Sequence, residues 1–229
     1  MTPVRVEQRR GTAAELHADD WPDDWPDDWD PCVEPSPGTV VRRCEVTAPA
    51  LVLGSTQDVG VVDVEGARRE GIDVVRRRSG GGVVLLLPGE CAWIDVYLPS
   101  TDARWDDRVD RSFRWAGEVW QAAVAALGVH GRVVPDGRLV ADTLGRLVCF
   151  AGRGPGEVLV GDRKLVGMSQ RRTRRGARVQ CLVPRSFDAG SYATLLVPPV
   201  DTAELARRVA VLDRPADDVL AAFVTSLAG

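Results

Sequence analysis

Between residues 39 and 183 the apolar residues come in short runs, each closed by glycine, proline or a charged cluster. Runs of this length suit strands, typically about five or six residues long, better than helices, which need about ten or more to repeat their period. Residues 39–46, 50–54, 73–75, 83–87, 93–98, 138–149, 157–160, 164–168 and 177–183 read as strands or strand leads. Pro88 and Gly89 predict a hairpin joining 83–87 to 93–98. Residues 102–127 are the exception. Trp105, Val109, Phe113, Ala116, Trp120, Ala123 and Leu127 recur at helical steps until Gly128, so this stripe is expected to be core with no part in a site. Residues 11–18 form a short helical segment, and 201–212 and 215–227 two terminal helices. Central strands with helices before and after predict an α+β fold: a mixed, largely antiparallel sheet flanked by helices. The 229 residues show no repeat and suit a single domain over 1–229.

Residues 18–32 interrupt this pattern with Asp-Asp-Trp-Pro repeats. Recurrent proline forbids a regular helix, and the acids oppose collapse. The tract reads as a low-complexity loop insertion, with a Trp-bearing partner segment, or a fold-back onto the protein's own basic face, as the alternatives. The whole chain carries a net charge of −4, which gives no reason to expect nucleic acid. No apolar run reaches membrane-spanning length and no signal peptide is evident, so neither a membrane partner nor export is expected. Five cysteines without C-x-x-C spacing suggest reduced thiols, a cytoplasmic location and no tightly bound metal. With only His17 and His130, a histidine triad has little material.

The chain has 28 arginines and one lysine, Lys164. An exposed cation can be either residue, but a compact ammonium fits where a planar guanidinium does not. Chance and function both remain open on the count alone.

Three segments carry candidate chemistry. In Arg76-Arg77-Arg78-Ser79-Gly80-Gly81-Gly82, the glycines permit close backbone approach, and their N–H groups together with the arginines suit an anion. A flexible turn has the same composition. In Gly161-Asp162-Arg163-Lys164-Leu165-Val166-Gly167-Met168-Ser169-Gln170-Arg171-Arg172, Lys164 follows a turn and opens a strand, where an ammonium suits an acyl or phosphoryl oxygen. Arg171, Arg172, Arg174 and Arg175 form a basic patch or a solvated edge. Cys149, before a Gly/Pro-rich loop, is either a nucleophile or a buried small side chain.

In this order, the Arg-Arg-x-Ser-Gly-Gly-Gly and Gly-x-Arg-Lys-Leu-Val-Gly-x-x-Gln-Arg-Arg segments resemble those of the lipoate–protein ligase, octanoyltransferase and biotin–protein ligase superfamily, lipoate–protein ligases above all. Residues 50–57 are similar to the family's early strand and turn. The resemblance implies a class II synthetase-like catalytic domain; the accessory C-terminal domain of many of these ligases is not expected here. It implies transfer of lipoate or octanoate to a lysine of a small acidic lipoyl domain, through an acyl-adenylate made with ATP and Mg2+. Arg76, Arg77, Ser79, Gly80, Gly81, Gly82, Gly167 and Gln57 would hold the acyl and adenylate groups, Lys164 would contact the adenylate, and Glu157 would be a metal ligand. Cys149-Phe150 with Pro155-Gly156-Glu157 is similar to the arrangement in cysteine-dependent transferases, which makes Cys149 a second catalytic candidate. Leu85–Leu87 and Gly156-Glu157 stand where the family carries a histidine and an Asn-Asp pair. Three functions are therefore expected in order: a ligase, a cysteine-dependent octanoyl or lipoyl transferase, and a non-catalytic binder of the same fold.

Overall fold

The strands expected in the middle of the chain pair into two sheets in a computed structural model that describes residues 4–18, 21–23, 25, 29–31 and 36–229. The chain runs β1 (Val4–Gly11), α1 (Ala13–Ala18), β2 (Thr39–Val46), β3 (Ala50–Leu53), α2 (Val64–Arg69), β4 (Asp73–Arg76), β5 (Val84–Leu86) and β6 (Cys91–Pro99). It continues α3 (Arg114–Ala126), β7 (Arg132–Val133), α4 (Thr143–Leu147), β8 (Val158–Val160), β9 (Arg163–Arg172), β10 (Gly176–Pro184), α5 (Ala189–Leu195), α6 (Thr202–Arg208) and α7 (Ala216–Ala228). The larger sheet has the order β1-β2-β6-β10-β9-β8-β7, and the smaller β4-β3-β5. Among the strand pairs of the described residues, only β1–β2 and β3–β4 are parallel. The fold is α+β, with mixed, largely antiparallel sheets flanked by helices.

One face of the larger sheet carries Val41, Ile94, Val96, Val179 and Cys181 against α3 and α7. Trp120 of α3 meets Phe223 of α7 with ring centroids 4.6 Å apart. Burying a side chain such as Phe223 stabilises the fold by roughly 2–3 kcal/mol. Strand alternation sends Trp93, Asp95 and Tyr97 of β6 to the opposite face. Their register partners on β10 are Leu182, Gln180 and Arg178. Asp95 is fully buried there. It accepts from Trp93 Nε1 at 2.6 Å and from Arg178 at 2.9 and 2.6 Å. Arg178 also donates to the carbonyl of Leu16 at 2.7 Å, which docks α1 onto this face.

Four expectations need correction. The hairpin 83–87/93–98 does not form: β5 pairs with β3 in the smaller sheet, whereas β6 lies between β2 and β10 in the larger. Residues 92–99 are buried without a break, so β6 needs cover on both faces and takes a central position. The helix expected over 102–127 begins only at Arg114. Asp102 and Asp106 accept from the backbone N–H of Arg104 and Arg108, and such local bonds compete with helix formation. Residues 138–149 contain α4 instead of a strand, with Asp142 capping it by accepting from Gly145 N at 2.9 Å. The helix expected over 201–212 stops at Arg208, and Val209 bridges to Lys164. Charged, mostly exposed β1 and short α2 and α5 lacked an apolar period strong enough to show in the sequence.

The described part of the Asp-Trp tract folds back onto the protein. Trp25 is buried against Val40 and Tyr97. Trp21 stacks on Trp25 at 5.3 Å, and the Arg175 guanidinium lies 5.3 Å from the Trp21 ring centre. Asp19, Asp20, Asp24, Pro26 to Asp28 and Cys32 lie outside the described residues. No helix among the described residues is long and apolar enough to cross a membrane.

Candidate active site

The β6–β10–β9 register builds the floor of an apolar cavity. It aligns Trp93 with Leu182 and Gly167, and Gln180 with Ser169. Val52 from β3, Val84 and Leu86 from β5, and Phe150 close the sides, and His17 of α1 joins them. The space over this floor, with the open solvent at its mouth included, is about 450 Å³. A Cβ on Gly167 would stand 3.0 Å from Phe150 Cζ, so a larger residue there requires the Phe150 ring to shift.

The glycine triplet forms the rim. Gly81 has φ +101°, a region that favours glycine. A Cβ on Gly82 would sit 2.6 Å from Cys149 N, and one on Gly54 would sit 2.0 Å from Gly81 O. Three backbone segments are therefore in contact: the turn after β3, the triplet, and the Cys149–Ala151 turn. Val83 N donates to Leu147 O at 2.8 Å and Cys149 N to Val83 O at 3.0 Å, which fixes the Cys149 turn against the triplet.

The charged residues before the triplet shape this loop from within. Arg77 is buried and donates to the carbonyls of Gly80 and Gly82, each at 2.8 Å, and of Val52 at 3.2 Å. Arg76 donates to Gly54 O at 2.9 Å and Gln57 O at 2.6 Å. Gln57 accepts from Gly54 N at 3.0 Å and donates to Leu147 O at 3.1 Å. Ser79 donates to Gln180 Oε1 at 3.1 Å and lies 2.9 Å from the Ser169 hydroxyl. The structure thus brings Arg76, Arg77, Ser79, Gln57 and the glycines to one loop, with the guanidinium protons directed to carbonyls.

A second cavity opens on the other side of the rim. It is lined by the triplet, Lys164, Glu157, Pro155, Phe113, Val109 and Leu139, and it shares Cys149, Met168 and Ser169 with the first. Val109 is 62% exposed, so the front of the stripe assigned to the core is a cavity wall instead. Lys164 is only 2% exposed. Its ammonium donates to Cys149 O at 2.6 Å and to both Glu157 oxygens at 2.9 Å. Glu157 also accepts from Gly154 N at 2.6 Å and Met168 N at 3.2 Å. Two donors on each oxygen fill the carboxylate's four lone-pair directions. A metal ion would have to displace Lys164 or a backbone N–H, so the contacts of Glu157 are those of an anchor for Lys164 and not of an open metal ligand. No group of three or more His, Cys, Asp or Glu side chains converges on a metal position among the described residues.

The sequence left every motif without a histidine, but folding brings His17 to the cavity that holds Cys149 and Arg77. The His17 ring lies 4.8 Å from that of Trp93. Burial, reinforced by the Arg178 and Arg77 charges, pushes its pKa down to about 3. It is therefore neutral near pH 7.

Comparisons with known proteins identify the family and the fold. The family model of the lipoyl protein ligase A/B catalytic domain matches residues 34–221. An assigned lipoate-protein ligase A of Aeropyrum pernix is 35% identical over 97 residues, covering 42% of this chain and 34% of that protein. The match thus spans about a third of that relative's length. A solved structure of a bi-partite lipoate protein ligase and its E2 lipoyl domain, from Thermoplasma acidophilum, superposes with a TM-score of 0.71 at 17% identity, over 100% of this chain and 83% of that one. An assigned lipoate protein ligase of T. acidophilum with bound lipoic acid gives 0.65 at 18% identity, over 83% and 71% of the two chains. A lipoate-protein ligase A bound with ATP gives 0.66 at 18% identity, over 98% and 83%. At such identities the structures establish the shared class II synthetase-like fold, and the family match over most of the sequence settles the rest: the chain belongs to the lipoyl protein ligase A/B catalytic-domain family.

Proposed function

We propose that the protein attaches lipoate or octanoate to a lysine of a small acidic lipoyl domain, activating the acid with ATP. The observation that carries this reading is the pair of cavities meeting at Cys149, Met168 and Ser169 beneath the glycine triplet. An acyl tail suits the apolar cavity, which leaves its carboxylate at the junction. The nucleotide suits the second cavity, beside Lys164 and the triplet. A carboxylate oxygen attacks the α-phosphorus and pyrophosphate leaves; the acceptor lysine then attacks the acyl carbon and AMP leaves. Lys164 exchanges one of its Glu157 bonds for an oxygen that gains charge in these steps. Mg2+ carried on the ATP would offset the charge of its phosphates. Similar solved structures hold lipoic acid or ATP, the two kinds of ligand this reading calls for.

The acceptor is an acidic domain approaching the arginine patch that ends β9, and the setting is a reducing cytoplasm. Arg172 lies 3.9 Å over the Trp105 ring and donates to Asp106 O at 2.7 Å, which holds part of that patch in place. Incubation with ATP, lipoate or octanoate, and an apo-lipoyl domain is expected to give acyl-adenylate and an acceptor mass increase. Tight binding of the acid without adenylate would instead identify a non-catalytic binder.

One observation favours a second reading. Cys149 Sγ lies at the cavity junction, 3.8 Å from where a Cβ on Gly81 would stand. A thiol there is placed to accept an acyl group from a carrier. The transferase reading requires an acyl-enzyme thioester in the intact mass, absent in Cys149→Ala; a fully active Cys149→Ala protein would exclude it.

A further inference from the structure

We propose that His17 is a specificity-determining hydrogen-bond donor, set to favour an acyl tail bearing hydrogen-bond-accepting sulfur over a plain hydrocarbon tail of the same length. The inference rests on the apolar cavity being the acyl site, and on observations that the family match does not contain, since residues 4–18 precede its start at residue 34.

The direction of the hydrogen bonds fixes the tautomer. Gln180 Oε1 accepts from the Ser79 hydroxyl at 3.1 Å, and Ser79 therefore accepts from Ser169 at 2.9 Å. This orients the Gln180 amide so that its Nε2 donates to His17 Nδ1 at 3.3 Å. Nδ1 is then the acceptor of a neutral ring, and the proton resides on Nε2. The chain Ser169, Ser79, Gln180, His17 thus runs donor to acceptor in one sense and ends on an N–H. Among the described residues that N–H has no acceptor.

Position assigns it to the tail. The acyl carboxylate belongs at the junction with the Lys164 cavity, and His17 lines the apolar cavity and not the Lys164 one. Its neighbours there include Trp93, Leu86 and Leu182. A hydrocarbon tail displaces water from the N–H and leaves it unpaired, whereas a dithiolane sulfur gives it a weak acceptor. The same sulfur also makes favourable contacts with aromatic rings, which Trp93 and Phe150 supply.

The test is calorimetric titration of the full chain with lipoate and with octanoate. Two variants separate the two ring nitrogens. His17→Asn keeps an acceptor for Gln180 and loses the Nε2 donor; His17→Gln keeps a donor at the Nε2 position. The wild type is expected to favour lipoate about tenfold, the His17→Gln protein to keep most of that ratio and the His17→Asn protein to lose it. Thermal melts confirm that each variant is folded. An unchanged ratio in His17→Asn overturns the proposal. So does an equal loss for both acids, which would place His17 at the carboxyl end that they share. If neither acid binds the wild type, the acyl-site reading fails and this inference fails with it.

Discussion

Glu157→Gln keeps the volume of a buried side chain and removes the charge beneath Lys164. The two groups are 3% and 2% exposed, and two of the three ammonium bonds go to this carboxylate, each at 2.9 Å. The amide replaces one acceptor oxygen with a donor. Whichever oxygen it replaces, that donor faces both the ammonium and a backbone N–H, of Gly154 or of Met168. Taking one partner from a buried ion pair costs about 3–5 kcal/mol, because the remaining charge is left unbalanced or has to lose its proton. At this chain length 1 kcal/mol moves Tm by about 2–4 °C, so a fall of about 6–20 °C is expected. Denaturant unfolding of Glu157→Gln, Lys164→Met and the double variant makes the measurement a cycle. With both charges gone nothing is left unbalanced, and the loss in the double variant is expected to be at least about 2 kcal/mol smaller than the sum of the single losses. Single losses under about 1 kcal/mol, or strict additivity, would show that water reaches the pair and that Glu157 does not anchor Lys164.

Three further outcomes are expected. Gly82→Ala puts a Cβ within 2.8 Å of three backbone atoms of residues 147–149, so it should cost about 1–3 kcal/mol and weaken acyl binding together with stability, read by unfolding and titration. His17 gives a pH dependence of known sign. Its folded pKa is about 3 and the unfolded side chain titrates near 6.5, so between these values the unfolded state holds more protons and stability falls as pH falls. The slope reaches up to about 1.4 kcal/mol per pH unit, and it should be missing from His17→Asn; parallel stability curves for the two proteins would refute the assignment. Trp25→Ala removes a side chain that is 3% exposed against Val40 and Tyr97, and it should cost about 3 kcal/mol while acyl transfer, assayed below the variant's Tm, continues.

What could be read from the sequence depended on whether the signal was local. β2, β3, β9 and β10 were visible because each is a buried run bounded by turn residues, and α7 because its apolar positions repeat. Strand partners were not visible. Pro88-Gly89 carries a hairpin's composition, but the turn passes between sheets because β6 is paired on both edges by strands distant in sequence. Lys164 stood out through its uniqueness, yet the role of Glu157 needed the β8–β9 pairing that brings the two together. Arg76, Arg77 and Gln57 were traced to the right loop, but their partners are carbonyls, and no residue type announces which carbonyls will face it. His17 is the clearest case of what was out of reach. A search for a histidine beside the motifs fails, because its approach is produced by the Asp95–Arg178 pair gripping the Leu16 carbonyl from another part of the chain. A sequence-level signal did exist in Asp95 and Arg178, charged residues inside strands otherwise suited to burial. Charges at such positions require partners, and the element they capture is the one that completes the cavity. A reading that had asked what those two charges bind, before asking which histidine lies near a motif, would have been led to α1.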